Sequence, residues 1–221
     1  MKILTVKLTA PLQSYGNEAT FSRRTTSRYP TKSAVVGMIA AALGYRRTDK
    51  RILMLNDLSF AVRADQVGPT LTDFQTVEWK QNERKITYRD YIQDAVFVAA
   101  IGSDDAQLVE KINDALHHPR FPLFLGRRSN APAGVLKTSE FSDDSPVTVL
   151  KKMVWQATPR YQRKREVQSL EIVADANLIT GAQGSMIKDQ VVSFDQRDRR
   201  HGFRAIAKTK VYISDLEKLS V

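Results

Sequence analysis

The 221 residues include no cysteine. That excludes disulfides, thiolate metal ligands and a cysteine nucleophile. No run of about 18 apolar residues occurs, so no membrane-spanning helix is expected. Neither a lipidation signal nor a lysine-rich amphipathic helix is present, so no membrane partner is expected either. Met1-Lys2 runs straight into a strand pattern rather than a signal peptide, which points to the cytoplasm. Solenoid-period repeats and low-complexity linkers are missing as well. Acidic charge is scarce: 24 Asp and Glu stand against 34 Lys and Arg, a net charge of +10. An excess of that size favours a polyanionic partner, nucleic acid before anything else.

The periodicities describe an α+β chain. Residues 2–9 alternate as a half-buried strand. Residues 33–43 form a helix with no polar face, hence a buried one, with Thr31 or Ser33 as cap and Gly44 as stop. A short helix over 48–56 and a strand over 58–63 follow. Residues 69–95 predict a long, protruding hairpin whose polar tip is Lys80-Gln81-Asn82-Glu83-Arg84-Lys85. Residues 94–101 are a near-continuous apolar run, hence a central strand. Asp104-Asp105 then cap a helix to Leu116. A final apolar run, Phe121-Pro122-Leu123-Phe124-Leu125, leads into Gly126-Arg127-Arg128-Ser129. This order predicts a ferredoxin-like βαββαβ core with an inserted hairpin. The core spans 1–140, with the hairpin at about 70–95. Residues 141–221 read as a small β-rich region of short strands and basic loops packed on that core.

The positive charge is local. Eight cations lie between Thr20 and Arg51 (Arg23, Arg24, Arg28, Lys32, Arg46, Arg47, Lys50, Arg51) against one acid, Asp49. A second cluster is Arg160, Arg163, Lys164 and Arg165. A third is Arg197, Arg199, Arg200, His201 and Arg204. Arginine dominates all three, as suits bidentate phosphate contacts and stacking on bases. Tyr15, Phe21, Tyr29, Trp79 and Tyr88 lie near these cations and are candidates to stack unpaired bases. Lys32-Ser33 superficially resembles the end of a phosphate-binding P-loop, but the required glycines are missing, so nucleotide hydrolysis is rejected. What remains is a general anion site at the helix N-terminus, residues 32–35. Gly126-Arg127-Arg128-Ser129 is the matching candidate wall, with a glycine allowing close backbone approach beside two guanidinium groups.

A positive case for catalysis is missing. His117 and His118 sit at a helix C-terminus, where histidine is favoured by the dipole. His201 lies in a basic run. Asp104-Asp105 has a sufficient role as a cap, and Asp143-Asp144 falls in a loop, so neither metal nor cofactor is expected.

The residues also carry a family resemblance. Leu8-Thr9-Ala10-Pro11-Leu12-Gln13-Ser14-Tyr15-Gly16, then Phe21, Arg24-Thr25-Thr26, Pro30-Thr31-Lys32-Ser33 and Val36-Gly37-Met38 resemble the N-terminal signature of the CRISPR-associated CasD family. Phe60-Ala61-Val62-Arg63-Ala64-Asp65, Tyr88-Arg89-Asp90-Tyr91-Ile92-Gln93-Asp94-Ala95 and Leu125-Gly126-Arg127-Arg128-Ser129 extend it over about the first 140 residues. The resemblance implies a non-catalytic RAMP protein of a type I-E Cascade surveillance complex, with an RRM-like core and a thumb hairpin. It implies a cap on the 5′ handle of the crRNA, contact with a CasC-type backbone subunit and a CasA-type large subunit, and an indirect part in recognising target DNA near the guide 5′ end. By position, Gln13, Tyr15, Arg23, Arg24, Arg28, Lys32 and Ser33 line the handle, and Gly126, Arg127, Arg128 and Ser129 form a glycine-rich loop. Residues 73–93, with Lys80, Arg84, Lys85, Tyr88 and Arg89, are the thumb. The chain departs from the pattern at Asn130, where cysteine is usual. A sister branch in type I-C systems cuts precursor crRNA without metal, and Tyr45, Lys32 and His117 are its conceivable stand-ins here. That is the alternative function.

Overall fold

A computed structural model describes residues 1–16, 22–143 and 145–218. Phe21 and Asp144 therefore lie outside the described residues. The chain opens with β1 (Lys2–Thr9) and two pairs of two-residue strands, β2 (Leu12–Gln13) and β3 (Tyr15–Gly16), then β4 (Arg23–Arg24) and β5 (Thr26–Ser27). Next come α1 (Lys32–Ala42), α2 (Arg51–Met54), β6 (Ser59–Gln66), β7 (Thr70–Lys80), β8 (Glu83–Gln93), β9 (Val96–Ser103) and α3 (Ala106–His117). The remainder is β10 (Lys137–Ser142), α4 (Pro146–Lys152), α5 (Pro159–Lys164), β11 (Ser169–Asp175), β12 (Ser185–Ser193), β13 (Arg200–Tyr212) and α6 (Ile213–Lys218).

One seven-stranded sheet runs β10-β1-β9-β6-β11-β13-β12, and every neighbouring pair is antiparallel. α1 connects β1 to β6 and α3 connects β9 to β10 on one face. Leu4, Val6, Leu8, Phe60, Val62, Phe97 and Ile101 pack there against Val35, Val36, Ile39, Val109, Ile112 and Leu116. α1 lacks a polar stripe because it is wedged between sheet and α3, burying Val35, Val36, Met38, Ile39, Ala40 and Ala42. α3 is amphipathic, and Asp105 caps it by accepting from the Leu108 amide at 3.0 Å.

The opposite face is covered too. Ile3, Ala61, Val98, Ala100, Leu170, Ile172 and Ala174 lie beneath α4 and α6, against Val147, Val149, Leu150 and Leu216. RNA-binding sheets of the RRM kind read bases with aromatics on an open face. Here that face is buried and aliphatic, so it is not open to bases. Arg63, fully buried, fastens α4 in place. It donates to the carbonyls of Leu150, Met153 (2.6 Å) and Val154 (2.9 Å) and is gripped by Asp65 at 2.7 and 2.8 Å. A helix C-terminus leaves carbonyls unpaired, and this guanidinium satisfies them.

Three expectations change. The strand after α3 is β10, not the apolar run 121–125, which is irregular between Pro119 and β10. The region after residue 145 is not a set of short strands: β13 has 13 residues, and α4 and α5 precede it. β11 pairs directly with β6, so this region continues the first sheet through main-chain hydrogen bonds. The hairpin turn is tight, Gln81-Asn82, with Asn82 at φ 63, a conformation asparagine tolerates.

Candidate nucleic-acid interface

The candidate groove forms at the root of the β7–β8 hairpin. β2 and β4 flank β8, with Leu12 and Gln13 paired to Gln93 and Ile92, and Arg23 and Arg24 paired in parallel to Tyr88 and Arg89. The loop of residues 125–130 closes on them. The Ser14 amide donates to the Leu125 carbonyl at 3.1 Å, and a Cβ on Gly126 would sit 1.5 Å from the Ser14 carbonyl oxygen. With φ +93 as well, only glycine fits. Buried Asn130 pins the loop, its amide Nδ2 donating to the Leu125 carbonyl (3.2 Å) and its Oδ1 accepting from Ser129 (3.2 Å).

This assembly holds Arg127 over the Tyr91 ring, 4.5 Å from its centroid, while its Nη2 donates to the Arg24 carbonyl at 3.0 Å. Arg127 Nη1 and Arg89 Nε are both withdrawn from solvent and have no acceptor among the described residues. Buried guanidinium N–H groups without acceptors are costly, and an anionic oxygen is what they lack. Arg23 is exposed and only 3.7 Å from Asp90. Arg24 and Arg128 are exposed beside them, and Ser129 is exposed on the loop.

The other candidates divide. Gln13 and Tyr15 are buried at 0% and 2% exposure. The Tyr15 hydroxyl donates to Gln13 Oε1 (2.6 Å), Gln13 Nε2 donates to the Ala95 carbonyl (2.7 Å), and Tyr15 packs edge-on against Phe97. Burial alone drives the Tyr15 phenol's pKa upward. Both side chains buttress the groove from behind and offer nothing to its surface.

Lys32 is the larger correction. Its Nζ donates to Asp175 at 3.2 Å, and its amide donates to Asp189 at 2.9 Å. Arg204 completes the tetrad, reaching Asp175 at 2.5 Å and Asp189 at 2.7 and 2.9 Å. The N-terminus of α1 is thus filled by the protein's own carboxylate, so the anion site expected at residues 32–35 is already occupied. Burial lowers the Lys32 pKa, with Asp175 opposing. For Arg204 burial also pulls downward, but Asp189 and Asp175 outweigh it and the net shift is upward. Ser33 is half-buried, its hydroxyl 3.3 Å from that of Thr31. Arg28 is exposed beside Lys208 and Tyr29, where its charge opposes that of Lys208.

On the hairpin, Lys80 and Arg84 face Glu83 (3.2 Å) and Glu78 (4.0 Å). Lys85 and Arg89 have no acidic partner among the described residues. Phe74 pairs across the strands with Tyr88; the two are 66% and 47% exposed, and exposed Ile86 lies on the same face. Trp79 is also exposed. The stand-ins for a cutting site are all engaged elsewhere: Lys32 in the tetrad, Tyr45 under Arg51 at 4.2 Å, and His117 between the Asn113 carbonyl and Thr138. Tyr91 is the site residue the motifs did not single out. Strand alternation puts it on the face of Arg89, which was the available signal.

Comparison with known proteins supplies the family. The family model described as CRISPR-associated protein (Cas_Cas5) matches residues 3–206. The chain belongs to the Cas5 family of CRISPR-associated proteins. It is 32% identical over 146 residues to the CRISPR system Cascade subunit CasD of Escherichia coli (strain K12), a match covering 57% of this chain and 65% of that protein. A solved chain from a CRISPR RNA-guided surveillance complex superimposes with TM-score 0.78 at 26% identity, covering 98% of each chain. A crystal structure of a Cas protein gives 0.75 at 28%, covering 97% of each. The Cas5 fold is thus mixed α+β here, strands predominating. Among the described residues no helix is long and apolar enough to cross a membrane.

Proposed function

We propose that this chain is a non-catalytic crRNA-binding subunit of a type I-E Cascade surveillance complex, acting in the cytoplasm to cap the 5′ handle of the crRNA. The observation that carries the reading is the pair of buried, acceptor-less donors, Arg89 Nε and Arg127 Nη1, at a cleft rimmed by Arg23, Arg24 and Arg128. Phosphate oxygens satisfy such donors, and the exposed guanidinium groups add charge along a strand. The strand order β10-β1-β9-β6 supports a ferredoxin-like, RRM-like core, and the β7–β8 hairpin with Lys80, Arg84, Lys85, Tyr88 and Arg89 is read as the thumb. Exposed Phe74, Tyr88 and Ile86 suit contact with a CasC-type backbone subunit or an unstacked base. A CasA-type large subunit then completes the assembly and bears on target DNA near the guide 5′ end.

Complex assembled on crRNA with an intact or scrambled handle tests this. Arg89→Ala/Arg127→Ala is expected to weaken retention of the intact handle at least tenfold, roughly two charge-assisted contacts. Equal retention by the variant, or equal assembly on scrambled handles, rejects the reading. Discrete cleavage of repeat RNA by the chain in EDTA rejects its non-catalytic part.

A further inference from the structure

The second basic cluster, on α5, has no part in the groove described above, and it borders a separate open cavity. This cavity is about 600 Å³ and open to solvent, formed where Thr9–Pro11, Asp94–Val96 and Ala133 meet α5. Arg160, Tyr161, Lys164 and Arg165 line it. Arg160 and Lys164 are four residues apart and so share a helix face, whereas Arg163 is not among the residues that line the cavity. None of these cations has an acidic partner among the described residues. Among the described residues that line the cavity, Asp94 is the one carboxylate.

α5 is held firmly for so short a helix. Thr158 caps it, and both the Thr158 amide (3.1 Å) and hydroxyl (2.9 Å) donate to Gln66 Oε1. Gln66, 8% exposed, donates through Nε2 to the Asp94 carbonyl at 2.6 Å. Gln162 ties back to the Trp155 and Ala157 carbonyls at 3.3 and 3.1 Å. One buried amide thus fixes the cationic helix against the root of the hairpin. Asp94 sits at φ 49, a left-handed conformation unusual for a side-chain-bearing residue, at that same junction. The root is also where Tyr91 supports Arg127, three residues or about 10 Å of extended chain away.

We infer that this cavity is a second phosphodiester-binding site, in which Arg160, Lys164 and Arg165 hold the backbone of a nucleic-acid strand passing the root of the hairpin. The contact is to phosphates, so it is indifferent to sequence, and the strand is either single-stranded RNA or duplex DNA. It goes beyond the handle reading and does not need it, because sequence-neutral probes report it.

The test measures binding of the full chain to an arbitrary-sequence single-stranded RNA and to a duplex DNA of equal length across a salt series. Arg160→Ala/Lys164→Ala is expected to weaken one probe about tenfold and to reduce its slope of log K against log salt by about 1.4 for RNA or 1.8 for DNA. Arg163→Ala, which removes a charge from the same helix but not from the cavity, is expected to change that slope by less than half as much as the double variant. Asp94→Asn keeps a side chain that tolerates this backbone and removes the opposing charge, so it is expected to tighten binding a few-fold. The probe that responds identifies the strand. Unchanged binding of both probes by the double variant overturns the inference, as does an equal effect of Arg163→Ala. Because Arg89 and Arg127 are intact in these variants, failure here leaves handle retention unaltered and is distinguishable from failure of the proposed function.

Discussion

Arg204 and Arg127 are both drawn back from water, and they are satisfied in opposite ways. Arg204 meets two carboxylates, Asp175 and Asp189, which also take Lys32 and the Phe60 amide, so two cations and two anions close on themselves. Arg127 has a tyrosine ring beneath it, one carbonyl, and a buried Nη1 with no acceptor among the described residues. The first arrangement ties the start of α1 to β11, β12 and β13, and the second leaves a donor free for the proposed phosphate contact. Net charge does not separate them, since both lie among arginines in the sequence. Only the count of acceptors does.

Breaking the closed tetrad has the largest expected effect. Among the described residues Arg204→Met leaves Asp189 and Asp175 with Lys32 as their one remaining cation, and removing one partner from a buried ionic group costs about 3–5 kcal/mol. For a chain of this size that lowers the melting temperature by roughly 10 °C in a thermal melt. RNA affinity per folded molecule stays as it was. A variant as stable as the wild type refutes the scaffold role.

Gly126→Ala comes next. The added Cβ overlaps the Ser14 carbonyl in a left-handed backbone, so the 125–130 loop must move. A loss of about 2–3 kcal/mol is expected, from overpacking and backbone strain together, with the Arg127 position lost too. Denaturant midpoints and RNA titration read the two parts separately.

Arg127→Met sharpens the contrast with Arg204→Met. The methionine keeps an apolar contact on Tyr91 and removes a donor that has no acceptor among the described residues. Stability is expected to rise by about 1 kcal/mol while RNA affinity falls. A fall in both would show that Arg127, like Arg204, is structural.

The smallest effect concerns pH. Burial, then repulsion from Arg199, lowers the pKa of His201, which packs against Phe194. The unfolded chain therefore binds the proton more readily just below the ordinary histidine value of about 6.5. Stability falls as pH drops through that window, and His201→Gln is expected to remove this part of the fall. Urea midpoints at pH 7.5 and 5.5 for both proteins check it; parallel curves refute it.

Much of the architecture was legible along the chain because the signals are local. The unbroken apolar character of residues 34–43 announces a helix with no solvent face, and Asp105 announces the start of α3. The alternation in residues 2–9 and the density of apolar residues in 94–101 mark strands beside the core. β13 was missed because His201-Gly202-Phe203-Arg204 looks like a basic loop until Arg204 is given its acids. The groove was half legible. Gly126 and Arg127 carried a local signal, whereas Gln13 and Tyr15 were assigned to the ligand although they support the wall behind it.

The sequence by itself determined composition-level facts and those elements before residue 120 whose hydrophobic period is read within a dozen residues. It also determined that this chain carries an excess of arginine suited to a polyanion. Tertiary structure alone decided which cations remain free to meet one. Lys32 finds Asp175 and Asp189 at separations of 143 and 157 residues, and Arg127 finds Arg24 and Tyr91 from a distant loop. The physical reason is that a charge is satisfied through space, within about 3 Å, and position along the chain does not record which acceptors will be there.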